Sequence, residues 1–315
     1  MEIESLVNQL LTDETSEDQQ YQIIQQIDAE LYEEQTLFEL AQTFLNYSIR
    51  MENPFAETVD IVGTGGDGCQ TLNYSTLSAL MVHELGAKVA KHGNRSATSK
   101  CGSFDFLQKL NVEIPDNPET ALSLLKEQGL VFLFAPFFHP IFAKVVNVRQ
   151  RFAKEGKRTF FNVLGPLLNP MQVKRIVAGV YDERLLKPYL YALKNLGVTH
   201  AYIVYGDGMD EFSVCGANKV IKLEHDEVTE FSLHPEQLGF VRGRLDYLEA
   251  GDLYQNLAES KSLLNNEMLG AKQDTLILNA AAAMHVASGF VDTLSGQVKL
   301  IKDALSQGKF AHLIP

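Results

Sequence analysis

Residues 63–76 read Gly-Thr-Gly-Gly-Asp-Gly-Cys-Gln-Thr-Leu-Asn-Tyr-Ser-Thr and follow directly on the largely apolar run Thr58–Val62. That order describes a strand that ends in a glycine-rich loop and passes into hydroxyl and amide side chains at a helix start. Gly63, Gly65, Gly66 and Gly68 carry no Cβ, so backbone N–H groups can turn inward and approach an anion closely. Ser75 or Thr76 is expected to cap a helix over 75–85 and to bring its positive dipole end to the same point. A second loop lies one strand later, Lys91-His92-Gly93-Asn94-Arg95-Ser96-Ala97-Thr98-Ser99-Lys100-Cys101-Gly102-Ser103. Two anion loops at the ends of successive strands fit a ligand with phosphates at both ends.

The alternation beyond residue 57 extends that reading to a fold. Short β-rich runs at Thr58–Val62, Lys88–Lys91, Leu130–Ala135, Arg175–Val180 and Ala201–Tyr205 are separated by helical patterns such as Pro118–Gln128 and Glu183–Leu196. The expected class is α/β, with a mainly parallel central sheet flanked by helices and ligands bound beyond the carboxyl ends of its strands. Phe212–Val214, Lys219–Leu223 and Val228–Leu233 read as an antiparallel extension, and the run from Asn279 through four alanines as a small-residue helix suited to close packing. Residues 1–52 differ in texture. They are polar and acidic, with apolar residues at helical spacing (Leu6, Leu10, Leu11; Ile23, Ile24, Ile27; Leu37, Leu40, Phe44, Leu45). Thr15–Asp18 and Ser16–Gln19 are candidate capping boxes, and Asn53-Pro54 is a stop signal. We therefore divide the chain into a small helical domain, 1–57, joined by part of 139–160, and a catalytic α/β domain, 58–315.

Composition enters where it excludes partners. The 315 residues carry a formal net charge of −13, which argues against general nucleic-acid binding. No Asp or Glu lies between Glu84 and Asp105, where Lys88, Lys91, Arg95 and Lys100 fall, or between Glu127 and Glu155, where Lys144, Arg149, Arg151 and Lys154 fall. These windows are expected to gather positive charge around an anionic substrate, the alternative being solvated helix faces. Cys69, Cys101 and Cys215 have no CxxC spacing, so a disulfide framework or zinc knuckle is not indicated, and Cys69 and Cys101 read as small space-fillers beside tight turns. The N-terminus lacks a basic, apolar leader and no apolar run approaches the roughly 20 residues of a membrane span. A cytoplasmic protein with no membrane partner is expected.

One generic motif competes. Gly63-x-Gly65-x-x-Gly68 also satisfies the dinucleotide-binding GxGxxG pattern, which calls for an acidic residue at the end of the next strand. Here that strand ends in Lys91-His92 with Arg95 following, which suits a phosphate. The long polar stretch Asp67–Ser75 tells against an NADP variant, because the fingerprint helix should begin inside the glycines.

The two loops, together with Phe134-Ala-Pro-x-x-His139-Pro140, Val148-Arg149, Phe161-Asn-x-Leu-Gly-Pro-Leu-x-Asn169-Pro170, Gly208-x-Asp210-Glu211, Pro235-Glu-x-x-Gly239 and Leu278-Asn-Ala-Ala-Ala, resemble anthranilate phosphoribosyltransferase. The match runs in order from about Thr58 to near the C-terminus. The first fifty residues match poorly, and Tyr74, Thr98, Phe104 and Gln108 depart from the commoner residues without removing a group the chemistry requires. The resemblance implies transfer of the phosphoribosyl group of phosphoribosyl pyrophosphate to anthranilate in tryptophan biosynthesis, with magnesium, two ions per monomer, and a homodimer through the helical domain.

By the same resemblance, Gly63, Gly66, Asp67, Thr71, Asn73, Tyr74, Ser75 and Thr76 contact the pyrophosphate and ribose. Lys91, His92, Gly93, Asn94, Arg95, Ser96, Ala97, Thr98, Ser99 and Ser103 enclose the remaining phosphoryl groups. Ser75, Asp210 and Glu211 are the metal ligands it implies. Hard carboxylate oxygens in a glycine-rich loop suit magnesium, although an Asp-Glu pair by itself is as readily a solvated surface. Gly63, Asn94 and Arg149 are the positions for anthranilate; Arg149 could instead snorkel from its helix. His139 and His92 stand outside any catalytic set, and no acid or base is assigned. An aromatic amine is unprotonated at neutral pH, and no Ser-His-Asp or Cys-His arrangement stands out. The alternatives are a pyrimidine nucleoside phosphorylase-like enzyme, which needs no Asp-Glu magnesium pair, and a non-catalytic nucleic-acid-binding relative, which should show a broad basic face.

Overall fold

The computed structural model describes residues 2–95 and 102–314. Among them seven strands form one sheet: β1 (Val59–Gly63), β2 (Val89–Gly93), β3 (Leu130–Phe134), β4 (Arg175–Gly179), β5 (His200–Tyr205), β6 (Asn218–Glu224) and β7 (Glu227–Leu233), in the order β3-β2-β1-β4-β5-β6-β7. β1 to β5 are parallel, and β6 and β7 add an antiparallel hairpin. The chain builds outward from β1 through β2 to β3, then returns to place β4 on the other side of β1. Strand order therefore reverses between β1 and β4, and the crevice beyond their carboxyl ends is where such a sheet receives a ligand. Gly63 and Gly179 are the paired terminal residues of that junction.

Each strand sends alternate residues to opposite faces. Val59 and Ile61 of β1, Val177 of β4 and Tyr202 and Val204 of β5 join α4 (Tyr74–Glu84), α5 (Ser103–Lys109), α10 (Leu253–Leu264), α11 (Ala271–Ala287) and α12 (Leu294–Ser306) in one core. Val62, Ile176, Ala178, Ala201 and Ile203 face the other way, into a second core with α1 (Ile3–Leu10), α2 (Glu17–Asp28), α3 (Glu34–Asn46), α8 (Val146–Lys154) and α9 (Leu186–Asn195). A third, smaller cluster sits under β2 and β3 against α6 (Pro118–Gln128). α7 (Ala135–Phe138) is a single turn leaving β3.

The N-terminal helices share their apolar core with residues of 145–164 and with α9. Phe44 of α3 is fully buried and stacks on Phe142 at 4.9 Å, with Phe160 and Phe161 within 6.1 Å. Truncating such a ring costs about 3–5 kcal/mol. Ser16 and Gln19 form the expected capping box of α2, and α6 spans the expected residues, capped by Asn117 with Pro118 in its first turn.

Three expectations change. The helix after the glycine loop starts at Tyr74 with Asn73 at its N-cap and no side-chain cap, so neither Ser75 nor Thr76 caps it. Phe212–Val214 is not a strand: Asn279 and Asn218 side chains take up the Phe212 and Ser213 amides at 3.0 and 2.7 Å, so no ladder partner is needed. The basic windows divide between ion pairs and the crevice. Lys88 pairs with Glu57, Lys144 with Asp13 and Arg151 with Asp18, each within 2.8 Å, which leaves Lys91, Arg95 and Arg149 facing the crevice.

Candidate active site at the sheet crevice

A cavity of about 320 Å³ opens at the carboxyl ends of β1 and β2. Its floor depends on absent side chains. A Cβ on Gly63 would overlap the Asp210 carboxylate, one on Gly179 would overlap the Asp210 backbone, and one on Gly206, beyond β5, would overlap the Glu211 carbonyl. Three strand-end glycines thus let the loop carrying Asp210 and Glu211 lie directly on the sheet. Asn279 of α11 clamps the next peptide, accepting from Phe212 N–H and donating to its carbonyl at 2.7 Å.

Both acids turn back onto the loops expected to bind an anion. Asp210 accepts from Gly65 N–H at 2.5 Å and Glu211 from Ser75 N–H at 3.0 Å, in the first turn of α4, where a carboxylate is favoured by the helix dipole. Gly65, Gly66 and Gly68 all take positive φ, 69–82°, which frees those amides to face inward. Burial and then the neighbouring Asp67 raise the Asp210 carboxyl, and burial with Asp210 and Asp67 raises Glu211 well above its ordinary value. Asp67 is itself raised by burial. A nearby cation would offset that burial cost and favour the ionised carboxylates. Among the described residues no three Asp, Glu, His or Cys side chains form a ready-made ion cage. Carboxylates that hold magnesium together with substrate phosphate and water need no such cage.

Lys91 is almost fully buried and donates from Nζ to the Ile61 carbonyl at 2.7 Å. Burial lowers its ammonium, an effect opposed by Asp60, Glu211 and Asp210. Asp60, buried and raised to about 6, accepts from Asn169 at 2.8 Å and from His92 N–H at 3.2 Å, so Asn169 is a clamp under the second loop. Arg95 lies 3.7 Å from Asp105, and Ser103 Oγ donates to the Asn94 carbonyl at 3.0 Å.

The far wall is aromatic. Arg149, half-buried, lays its guanidinium 5.0 Å from the Phe161 ring centroid and 5.8 Å from that of Phe142. Among the described residues it has no carboxylate partner, and burial lowers its pKa. His92 and His139 meet edge to face at 5.1 Å. Burial pushes His139 down to about 4 and His92 well below its ordinary value, so both rings are neutral. His92 Nδ1 donates to the Gly165 carbonyl at 3.2 Å, and His139 Nδ1 meets Ser48 Oγ at 2.6 Å.

Of the residues singled out from sequence, Gly63, Gly66, Asn73, Ser75, Lys91, His92, Gly93, Asn94, Arg95, Ser103, Arg149, Asp210 and Glu211 line the cavity. Asp67, Thr71, Tyr74 and Thr76 do not. Tyr74 and Thr76 are fully buried, Tyr74 in the apolar core, because α4 is enclosed by packing on nearly all sides, every residue from Thr76 to Val82 being buried. Ser96, Ala97, Thr98 and Ser99, with Lys100 and Cys101, lie outside the described residues. The sequence reading missed Phe142, Phe161, Asn162 and Gly165 as lining residues; for the last three the motif from Phe161 was a signal, whereas Phe142 lies in no motif. Cys69 is pushed up to about 11 by burial and by Asp67 and Asp210, which fits a space-filler.

The family described as glycosyl transferase family, a/b domain, matches residues 56–311. The anthranilate phosphoribosyltransferase of Methanosarcina mazei is 41% identical over 261 residues, 83% of this chain and 69% of its own. That of Haloferax volcanii is 38% identical over 268 residues, 85% and 80% of the two chains. The crystal structure of anthranilate phosphoribosyltransferase from Thermus thermophilus superposes with a TM-score of 0.88 at 33% identity, covering 99% of this chain and 92% of that one. The Saccharomyces cerevisiae enzyme in complex with phosphoribosyl pyrophosphate and magnesium does so at 0.83 and 27%, covering 99% and 89%.

Proposed function

Because this chain belongs to the anthranilate phosphoribosyltransferases of the glycosyl transferase family, we propose that the crevice between β1 and β4 is where its reaction occurs. The enzyme transfers the phosphoribosyl group of phosphoribosyl pyrophosphate to anthranilate, giving N-(5′-phosphoribosyl)anthranilate and pyrophosphate, in tryptophan biosynthesis. The bond from ribose C1 to the pyrophosphate oxygen breaks, a bond from C1 to the anthranilate nitrogen forms, and the amine releases one proton.

The observation that carries the site assignment is Arg149. A half-buried guanidinium with no carboxylate partner among the described residues, held against Phe161, is complementary to a planar aromatic carboxylate. Anthranilate then lies between Phe142 and Phe161, with its amine towards Asn94 and Gly63. Lys91 and the loop after β2 meet the donor's phosphates from one side, and the amides of Gly65, Gly66 and Ser75 from the other. Lys91 is preorganised for this: the Ile61 carbonyl holds its ammonium in place before any substrate arrives.

The donor set fits magnesium: Asp210 and Glu211 offer hard oxygens, Ser75 lines the same cavity, and burial near Asp67 disfavours the charged carboxylates until a cation balances them. We assign these three residues to the metal, with two ions per monomer. Bound magnesium supplies charge neutralisation for the departing pyrophosphate. The chain's own residues keep the loop seated through Gly63, Gly179 and Asn279, exclude water with the aromatic wall, and hold the acceptor in line.

We further assign residues 1–57, with part of 139–160, to a helical domain and 58–315 to the catalytic domain. The proposal includes a homodimer through the helical domain and a cytoplasmic setting in keeping with amino-acid biosynthesis. Sedimentation equilibrium at micromolar concentration tests the dimer, and a monomeric mass removes it. Turnover of phosphoribosyl pyrophosphate and anthranilate, with magnesium and with a chelator, tests the site: product should form only with the metal. Phosphate-dependent cleavage of thymidine or uridine with no anthranilate product would favour a nucleoside phosphorylase instead.

A further inference from the structure

Two guanidiniums flank the end of α8. Arg149 faces the acceptor wall, and nine positions later Arg158 lies at the other end of the crevice, where neither the sequence motifs nor the cavity lining includes it. Its placement is set from both sides. Thr159 caps the turn Phe160–Asn162, and Asp28 at the end of α2 accepts from Phe160 N–H at 2.6 Å. The Arg158 stem passes Gly66, such that a Cβ built on that glycine would stand 3.6 Å from Nε and 3.9 Å from Cδ. Its guanidinium carbon rests 4.5 Å from the Tyr181 ring centroid. Tyr181 N–H donates to Thr64 Oγ1 at 3.2 Å, and Thr64 N–H donates to the Gly179 carbonyl at 3.0 Å. The guanidinium therefore sits over both loops that leave the β1–β4 junction.

Its neighbours are committed elsewhere: Lys157 pairs with Glu155 at 2.7 Å and Arg184 with Asp182 at 2.6 Å. Arg158 is exposed and makes no hydrogen bond or ion pair with any described residue. An exposed cation–π contact is a weak tether. The stem is located, while the five N–H donors are free in a chain of net charge −13.

We propose that Arg158 is a further ligand of the pyrophosphate, engaging it from the lip of the crevice beside Gly66. This rests on the reading that the glycine loop binds the pyrophosphate of the donor substrate. A planar fork suits a phosphoryl group better than a point charge does. One segment, 157–162, then places Arg158 on the leaving group and Phe161 on the acceptor, so both ends of the reaction are held by the same short stretch.

The test is calorimetric titration of inorganic pyrophosphate with magnesium into wild type, Arg158→Ala, Arg158→Met and Arg158→Lys, alongside both KM values and the melting temperature. The expected result is a loss of pyrophosphate affinity of about ten- to a hundredfold in the Ala and Met variants. The KM for phosphoribosyl pyrophosphate should rise in parallel, Lys should recover part of the loss, and the anthranilate KM and melting temperature should stay unchanged. Wild-type affinity in Arg158→Met, with loss only in Arg158→Ala, would mean the stem merely packs on Gly66 and would overturn the proposal, as would wild-type affinity in all three. A wild type that turns over normally isolates such a failure to Arg158. A wild type that neither binds pyrophosphate nor turns over removes the reading of the site, and this contact with it.

Discussion

The proposed donor and acceptor ends of the crevice are built on opposite principles. At the proposed donor end the glycine-loop amides are already satisfied, Asp210 holding Gly65 N–H and Glu211 holding Ser75 N–H, while the Ile61 carbonyl keeps the Lys91 ammonium in place. At the proposed acceptor end the binding groups are side chains, and the central one, Arg149, rests against the Phe142 and Phe161 rings with no carboxylate partner among the described residues. A donor site closed on its own carboxylates must be reorganised by cation and phosphate together, so donor affinity should depend steeply on magnesium. An acceptor site with an uncompensated guanidinium is preformed and should bind an aromatic carboxylate without rearrangement.

The largest expected effect breaks the donor end. Asp210→Asn and Glu211→Gln each keep an oxygen able to accept the amide now bound, so the loop should hold its shape. Each removes a negative charge that the metal requires, and turnover at limiting magnesium should fall by orders of magnitude. Because burial raises both carboxyls, removing the charge should not lower the melting temperature. Unchanged magnesium dependence in both variants would end the metal assignment. A large drop in melting temperature would show that the acids serve the fold first.

The same contrast explains what could be read from sequence. The glycine-loop part of the donor end is contiguous, a strand, four glycines and a helix start within about twenty residues, so that part is written in one motif, whereas Lys91 comes from β2 and the Asp210-Glu211 pair from the loop beyond β5. Even there, side-chain burial escaped the reading, since α4 is packed on nearly all sides and has no exposed face whose periodicity would show which residues point away from the crevice. The acceptor end draws Arg149 from α8, Phe142 from the turn before it and Phe161 from the turn after it, brought together by packing on Phe44 from α3. No local pattern announces such a wall. Strands were legible within a residue or two, and β1 extends to Gly63 because pairing with β4 persists to Gly179. The missing strand at 212–214 reflects two distant asparagines satisfying its amides, a tertiary effect no short window contains.

An intermediate effect sharpens the acceptor end. Arg149→Ala should raise the anthranilate KM about ten- to a hundredfold, the worth of a charge-assisted bond of roughly 1.5–3 kcal/mol, and leave the KM for phosphoribosyl pyrophosphate nearly unchanged. The variant should also lose its preference for anthranilate over aniline, since nothing would then recognise the carboxylate. Equal changes in both KM values would mean that Arg149 supports the whole crevice and that the two ends are not separable in this way.

The smallest effect concerns the joint between the helical segment and the acceptor wall. Asp28 ends α2, where the helix dipole disfavours negative charge, and burial raises its carboxyl from 3.8 to about 7. The folded chain therefore holds that proton more tightly than the unfolded chain between about pH 4 and pH 7. Stability from this group is full below that window and is lost as pH rises through it. Asp28→Asn stays neutral, and its amide oxygen still accepts from Phe160 N–H, so the variant should lose less melting temperature than wild type between pH 5 and pH 8. A difference of roughly 1–3 kcal/mol corresponds to a few degrees in a chain of this size. Because Phe160 precedes Phe161, the anthranilate KM of wild type should drift with pH over the same window more than that of the variant. The donor's KM, set on the far side of the crevice, should show no such difference. Parallel pH profiles for the two proteins would mean that Asp28 remains ionised in the folded state and that the helical segment supports the acceptor wall through apolar packing alone.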